Sequence, residues 1–340
     1  MKVLHLSFHK GCINDINFIC NSLNIDCEVL SQNLDWNTNK NIPTLFEYNY
    51  QHYNITKELA IKYWNTYSGY FNTFDCIITS DTAPLSRIFL QNNSWKKKLI
   101  IWVCNRFNYA NFGIHNKGFP DEEYYTLFRE ALTNINIHVI AYTQFEIEFC
   151  KLYNINIPIH NLIKPSGGIS VVYSNIDVYD NSNTLFIVPY HNETNIMNLQ
   201  QFLQNYNINC ICKKYNGPFE LKSYKAVIHI PYALSNLALF EIFQLGIIYF
   251  IPSFEFLLTL NNSSCNFWFQ DKSYAFKNKE IIEWYNPLYN DLFIYFDSWS
   301  DFVNKYNNLD TYIDNQRDKI LRFGKIHMND TLDKWIKLLL

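Results

Sequence analysis

His9, Lys10 and Gly11 follow directly on the apolar run Val3 to Phe8. An imidazole at the end of a buried strand suits proton transfer at neutral pH, because its unperturbed pKa is about 6.5. Asp81, in Ser80-Asp81-Thr82 after the run Cys76 to Thr79, is a second candidate base. Two more strand-end stretches carry groups suited to binding. One holds Arg106, a cation for a phosphate or an anionic acceptor, with the aromatic faces of Tyr109 and Phe112 close behind; the other is Tyr142-Thr143-Gln144. Lys10 offers a further cation. Each group also has a plain structural reading: His9 hydrogen-bonded locally, Asp81 and Thr143 capping helices, Arg106 in an ion pair.

The second half is richer in anion-binding signals. In the stretch Ser235 to Gly246, a helix beginning near Ser235 and Asn236 aims free backbone N–H groups and the positive end of its dipole at whatever precedes it, a diphosphate for example. Glu241 lies one to two turns on, and Gly246 lets the chain turn tightly into the buried run Ile247 to Ile251. Lys213-Lys214-Tyr215-Asn216-Gly217-Pro218 puts two cations and a glycine turn, with Asn216 between them, after the run Asn209 to Cys212. Surface lysines explain the first pair equally well. Tyr190 and His191 follow the run Leu185 to Val188, where Asn192 or Thr194 can cap the next helix.

These groups need a scaffold, and the rest of the chain supplies its pattern. Short apolar runs alternate with helix-period segments, which implies parallel sheets flanked by helices. The first half holds strands at Val3 to Phe8, Cys27 to Leu30, Cys76 to Thr79, Leu99 to Cys104 and His138 to Ala141. Amphipathic segments separate them at Ile13 to Leu23, Ile55 to Tyr67, Pro84 to Leu90, Glu122 to Leu132 and Gln144 to Leu152. Lys164-Pro165-Ser166-Gly167-Gly168, with a polar stretch after it, marks a junction. The alternation restarts with strands at Leu185 to Val188, Asn209 to Cys212, Ala226 to Ile230 and Ile247 to Ile251, and helices at Asn195 to Asn205 and Asn236 to Gln244. The expected organisation is an N-terminal α/β domain over 1–165, a linker over 166–183, a second α/β domain over 184–315 and a helical tail over 316–340 that packs back on the first domain. Both domains are doubly wound and Rossmann-like, and they are expected to face one another across a cleft.

Composition bounds the function. The 340 residues suffice for two domains of about 150 each. With 48% apolar and 17% charged residues the chain buries large cores and is no disordered polyelectrolyte. A net charge of −3 with scattered cations excludes a dedicated nucleic-acid binder. The apolar stretch Ala226 to Leu260 is broken by Pro231, Glu241, Gln244, Pro252 and Glu255, so no transmembrane segment is expected, and without a signal peptide the location expected is cytoplasmic. Nine cysteines without a Cys-x-x-Cys pair suggest reduced thiols and no zinc knuckle. Neither Gly-x-Gly-x-x-Gly nor a P-loop occurs, against dinucleotide redox and P-loop ATPase chemistry, and Asp-x-Asp is missing too.

The spacing of Glu241 and Gly246, on a helix that leads into a buried strand, resembles the donor domain of the GT-B fold, nucleotide-sugar-dependent glycosyltransferases. The resemblance implies a nucleotide-diphosphate sugar as donor and ribose binding by Glu241. It implies diphosphate or base contacts from Lys213, Lys214 and Asn216, and phosphate or sugar contacts from Tyr190 and His191. The acceptor side would gather His9 or Asp81 as base with Lys10, Gly11, Arg106, Tyr109 and Thr143. No metal and no separate cofactor is expected, the helix dipole and the lysines stabilising the leaving diphosphate. The acceptor, a glycan, lipid or protein, is left open. Ala233 stands where many retaining members carry a second Glu, and Ala238 where the plant-type signature has Ser, so neither stereochemical subgroup is assigned. Two alternatives stand beside this reading: a sugar-nucleotide epimerase of the same architecture, and a non-catalytic sugar- or protein-binding module.

Overall fold

Runs such as Cys76-Ile77-Ile78-Thr79 and Leu99-Ile100-Ile101-Trp102-Val103 are apolar on both faces, and every one of these residues is buried. Strands of that kind belong inside a parallel sheet covered by helices on both sides. The computed structural model describes residues 1–31, 55–91, 95–108, 121–168, 181–188, 198–262 and 276–340. Among them lie two five-stranded sheets, parallel throughout.

The first sheet comprises β1 (Lys2–Leu6), β2 (Asp26–Leu30), β3 (Cys76–Thr79), β4 (Lys98–Val103) and β5 (Ile137–Ala141), in the order β2-β1-β3-β4-β5. Its helices include α1 (Lys10–Ser22), α2 (Lys57–Phe71), α3 (Arg87–Leu90), α4 (Glu122–Ala131) and α5 (Gln144–Lys151). The segment expected as one helix over Pro84 to Leu90 begins instead as a 3₁₀ turn, Ala83–Ser86, before α3.

The second sheet holds β6 (Asn181–Ile187), β7 (Cys210–Cys212), β8 (Tyr224–Ile228), β9 (Tyr249–Pro252) and β10 (Ile294–Phe296), ordered β10-β9-β8-β6-β7. Read from β7, this is the order of the first sheet again, so both halves are doubly wound. Helices α6 (Leu199–Gln204), α7 (Pro218–Leu221), α8 (Leu237–Leu245), α9 (Phe254–Asn262), α10 (Trp299–Asn307) and α11 (Ile313–Leu339) complete the half. Strand β10 is absent from the sequence reading. At three residues it is too short to show a period.

The chain divides into two compact units, Met1–Pro165 with Thr331–Leu340, and Ser166–Asp330. The end of α11 thus belongs to the first unit. There Trp335 is fully buried edge-on against Trp102, ring centroids 5.7 Å apart, and the Lys98 ammonium donates to the Leu338 carbonyl at 2.7 Å. Those contacts bury two indoles and fix the last turn.

Candidate functional site

In the first unit β1 and β3 are neighbours, but the chain leaves β1 toward β2 and leaves β3 toward β4, in opposite directions. Such a switch point is where open α/β sheets bind ligands. Strand β1 ends at Leu6, earlier than its apolar run suggests, because Ser7 turns its hydroxyl into a buried polar chain. Ser80 Oγ donates to Ser7 Oγ at 2.9 Å and lies 2.8 Å from His5 Nε2. All three residues are inaccessible to solvent. Burial holds His5 neutral, bringing its pKa down to about 3.

His9 is the exposed N-cap of α1 and its backbone N–H reaches Ser7 Oγ at 3.4 Å. Lys10 and Gly11 are not in a strand-end loop as expected: they form the first turn of α1, which starts directly after His9. Cys12, in the same turn, is buried and meets Cys104, His9 and Ser80. Its hydrogen bond with the Cys104 thiol is the main influence bringing the Cys12 thiol down to about 6, against the effect of burial. Sequence reading missed both thiols. Neither has a local motif, and only the meeting of three strand ends brings them together.

Asp81 occupies the left-handed backbone region, at φ 68°. Thr82, not Asp81, is the N-cap of the turn that follows, so the capping explanation of this aspartate fails. Burial, and after it the neighbouring Cys12, pushes the Asp81 carboxyl up to about 7, while His9 acts in the opposite sense. Arg106 is half-buried just past β4.

Thr143 is a correction. It is fully buried and closes a capping box on α5, its N–H donating to Glu146 Oε2 at 2.7 Å and its hydroxyl accepting from the Phe145 N–H at 3.3 Å. The hydroxyl also donates to Glu146. A side chain so engaged offers nothing to a ligand. Tyr109 lies outside the described residues, as do Phe112, Tyr190 and His191.

In the second unit the switch point falls between β6 and β8. After β8 come His229 and the turn leading to α8. Asn236 is the N-cap of α8 but makes no side-chain capping bond: its amide Nδ2 donates to Tyr232 Oη at 2.8 Å. Asn236 Oδ1 and Ser235 Oγ are both shielded from solvent, with no hydrogen-bond partner among the described residues. No acidic residue lies in the first turn. The amino end of α8 therefore has no carboxylate of its own first turn set against its backbone donors.

Glu241 is half-buried on α8, flanked in sequence by Leu239, Phe240, Ile242 and Phe243, all of them buried. Two glycines bring backbone against that helix. Gly167, at φ 66°, sits where a Cβ would run into the Phe240 carbonyl, and a Cβ at Gly324 of α11 would run into that of Phe243. Gly246 ends α8 in the left-handed region at φ 65°, as its spacing predicts. Gly167, legible only as part of a junction in the sequence, thus positions the helix that carries Glu241.

Lys213 is tied to Glu220 at 2.6 Å, and Glu220 also accepts from the Asn216 N–H at 2.8 Å. Lys214 is exposed beside them. His229, which the sequence reading passed over, is buried with its ring centroid 4.3 Å from that of Trp284, between Tyr232 and Tyr249. Among the described residues no group of three or more His, Cys, Asp or Glu could hold a metal ion, and no helix is long and apolar enough to cross a membrane.

No protein-family model and no curated protein matches the sequence. Solved structures do match over its whole length. HepE of Anabaena, in complex with UDP, shares 10% identity at a TM-score of 0.50, covering 99% of this chain and 98% of that one. A glycosyltransferase of Rickettsia africae shares 10% at 0.52, with 99% and 97% covered. Sucrose-phosphate synthase of Thermosynechococcus elongatus shares 8% at 0.51, with 99% and 96% covered. With its two doubly wound sheets, the chain has the GT-B fold.

Proposed function

We infer that the protein is a glycosyltransferase that takes its sugar from a nucleoside-diphosphate sugar. The observation that carries this reading is the amino end of α8, where the Ser235 hydroxyl is shielded and unpartnered and no first-turn acid opposes an anion. A phosphate oxygen accepts from the Ser235 hydroxyl and from the backbone N–H groups of that first turn. The fold supports the same reading, since HepE was solved with UDP and with UDP-glucose.

In this reading the diphosphate docks on the first turn of α8 and Glu241 accepts from the ribose hydroxyls. Lys214 adds charge, while Lys213 is held back by Glu220. The acceptor oxygen attacks the anomeric carbon, the bond to the β-phosphate oxygen breaks, and the nucleoside diphosphate departs. The dipole of α8 stabilises the charge that develops there, and no metal is required. Asp81, with a pKa near neutrality, takes the hydroxyl proton, and His9 stands beside it.

The test is a thermal-shift and calorimetric panel of UDP, GDP and TDP with their glucose derivatives. Binding to the native state raises Tm by mass action, and one base should stand out from the others. If none of the six shifts the transition or releases heat, the donor assignment is wrong. Turnover that yields an epimerised sugar nucleotide without transfer would assign the chain to the epimerases instead.

A further inference from the structure

The chain passes between its two compact units twice, once between Pro165 and Ser166 and once between Asp330 and Thr331. Within the second unit, the segment just after the first passage and the segment just before the second both run against α8. Gln244, in the last turn of that helix, binds to each of them: its amide Nε2 donates to the Ser166 carbonyl at 3.3 Å and to the Gly324 carbonyl of α11 at 2.8 Å. We propose that Gln244 is a positioning residue for the donor site, fixing the axial position of α8 between these two segments so that its first turn meets the diphosphate. The proposal rests on the reading that α8 holds the nucleotide.

A side-chain amide nitrogen carries two hydrogens, and here both go to backbone carbonyls of segments far apart in the sequence. Close backbone approach reinforces the two bonds, since a Cβ at Gly167 would run into the Phe240 carbonyl and one at Gly324 into that of Phe243. Aromatic rings complete the contact with α11. His327 stacks on Phe240 with centroids 5.4 Å apart, and Phe323 meets Phe243 edge-on at 5.0 Å. Phe240, Phe243 and Gln244 are spaced three and four residues apart, so they share one side of the helix.

The other end of α8 begins at Asn236, roughly 12 Å from Gln244 along the axis at the rise of an α-helix. Gln244 therefore acts on a diphosphate only through the helix. Because the hydrogen-bonded backbone is stiff along its axis, a shift at Gln244 is passed on to the donors of the first turn.

The test compares the full chain with Gln244→Met, which keeps the length of the side chain but cannot donate, and with Gln244→Lys, whose ammonium can donate to both carbonyls. Each is titrated by calorimetry with UDP, GDP and TDP, well below its own unfolding transition. For the nucleotide that the wild type binds, Gln244→Met should raise Kd roughly threefold to tenfold, about the contribution of one hydrogen bond. Gln244→Lys should recover most of that loss, whereas a packing role alone would make Met the tolerated residue and Lys the damaging one. Hydrogen exchange of the wild type gives a readout that needs no variant. The same nucleotide should slow exchange in peptides spanning Ser166–Gly168 and Phe323–His327, as well as at the first turn of α8. An unchanged Kd in Gln244→Met, or binding that protects the first turn of α8 and leaves both of those peptides unaltered, would overturn the proposal while leaving the donor reading intact. If none of the three nucleotides binds the wild type, the donor reading itself fails and this role with it.

Discussion

The Nε2 atom of His5 lies 2.8 Å from the Ser80 hydroxyl, joining the ends of β1 and β3 where no solvent reaches. Because Ser80 donates onward to Ser7, it accepts from His5, so Nε2 carries a proton, and burial keeps the ring neutral. This chain of three polar groups fixes the two strand ends from which His9 and Asp81 project. His5→Ala should therefore cost about 2–4 kcal/mol, combining a lost buried hydrogen bond with a cavity. The folded-state pKa of about 3 lies below the unfolded value of about 6.5. The contribution of His5 is thus complete above pH 6.5 and is lost as pH falls toward 3, because the unfolded chain takes up the proton first. Urea midpoints at pH 7.5 and pH 5 for the wild type and His5→Gln check this: the variant's deficit should shrink at the lower pH.

Asp81 works in the other direction. Its carboxyl is raised to about 7 from an ordinary value of about 3.8. The folded state then holds a proton that the unfolded state has released, so stability falls as pH rises from about 4 to about 7 and is level above. Asp81→Asn keeps the size and removes the titration. It should be more stable than the wild type at pH 8, with the difference fading toward pH 4. An equal Tm difference at both ends of the range would show that the carboxyl is not perturbed.

Gly167 and Gly324 each hold backbone against α8. Gly167→Ala adds a Cβ to a residue already at φ 66° and pushes it into a carbonyl that cannot move without the helix, so a loss of about 2–4 kcal/mol is expected. Gly69, inside α2 with open space around it, is the contrasting case: Gly69→Ala should stabilise by about 0.5–1 kcal/mol. Chemical denaturation of the two variants separates close packing from simple helix propensity.

Glu241→Ala removes a half-buried carboxylate outside the buried face of α8, so the fold should persist. Affinity for the nucleoside diphosphate should fall by about 1–3 kcal/mol if ribose hydroxyls are bound there. Calorimetry decides, and an unchanged Kd would free Glu241 of any role with the nucleotide. His9→Ala should leave that Kd alone while lowering turnover. Normal turnover would make His9 a helix cap only.

Local chemistry was legible from the sequence because its causes lie within a few residues. Runs such as Cys76–Thr79 and Leu99–Val103 are strands because both faces are apolar, Gly246 ends α8 because a left-handed residue is needed there, and the restart of the alternation after Gly168 signals a second sheet. Tertiary structure decided the rest, since strand order determines which strand ends meet. Asp81 became a perturbed acid only when burial and Cys12 surrounded it, and Thr143 was spent on Glu146 by a capping box. The contacts of His5 with Ser80, of Cys12 with Cys104, of Gly167 with Phe240 and of Trp335 with Trp102 all join residues distant in sequence. No local preference specifies such pairs; they follow from the packing of parallel strands in one particular order.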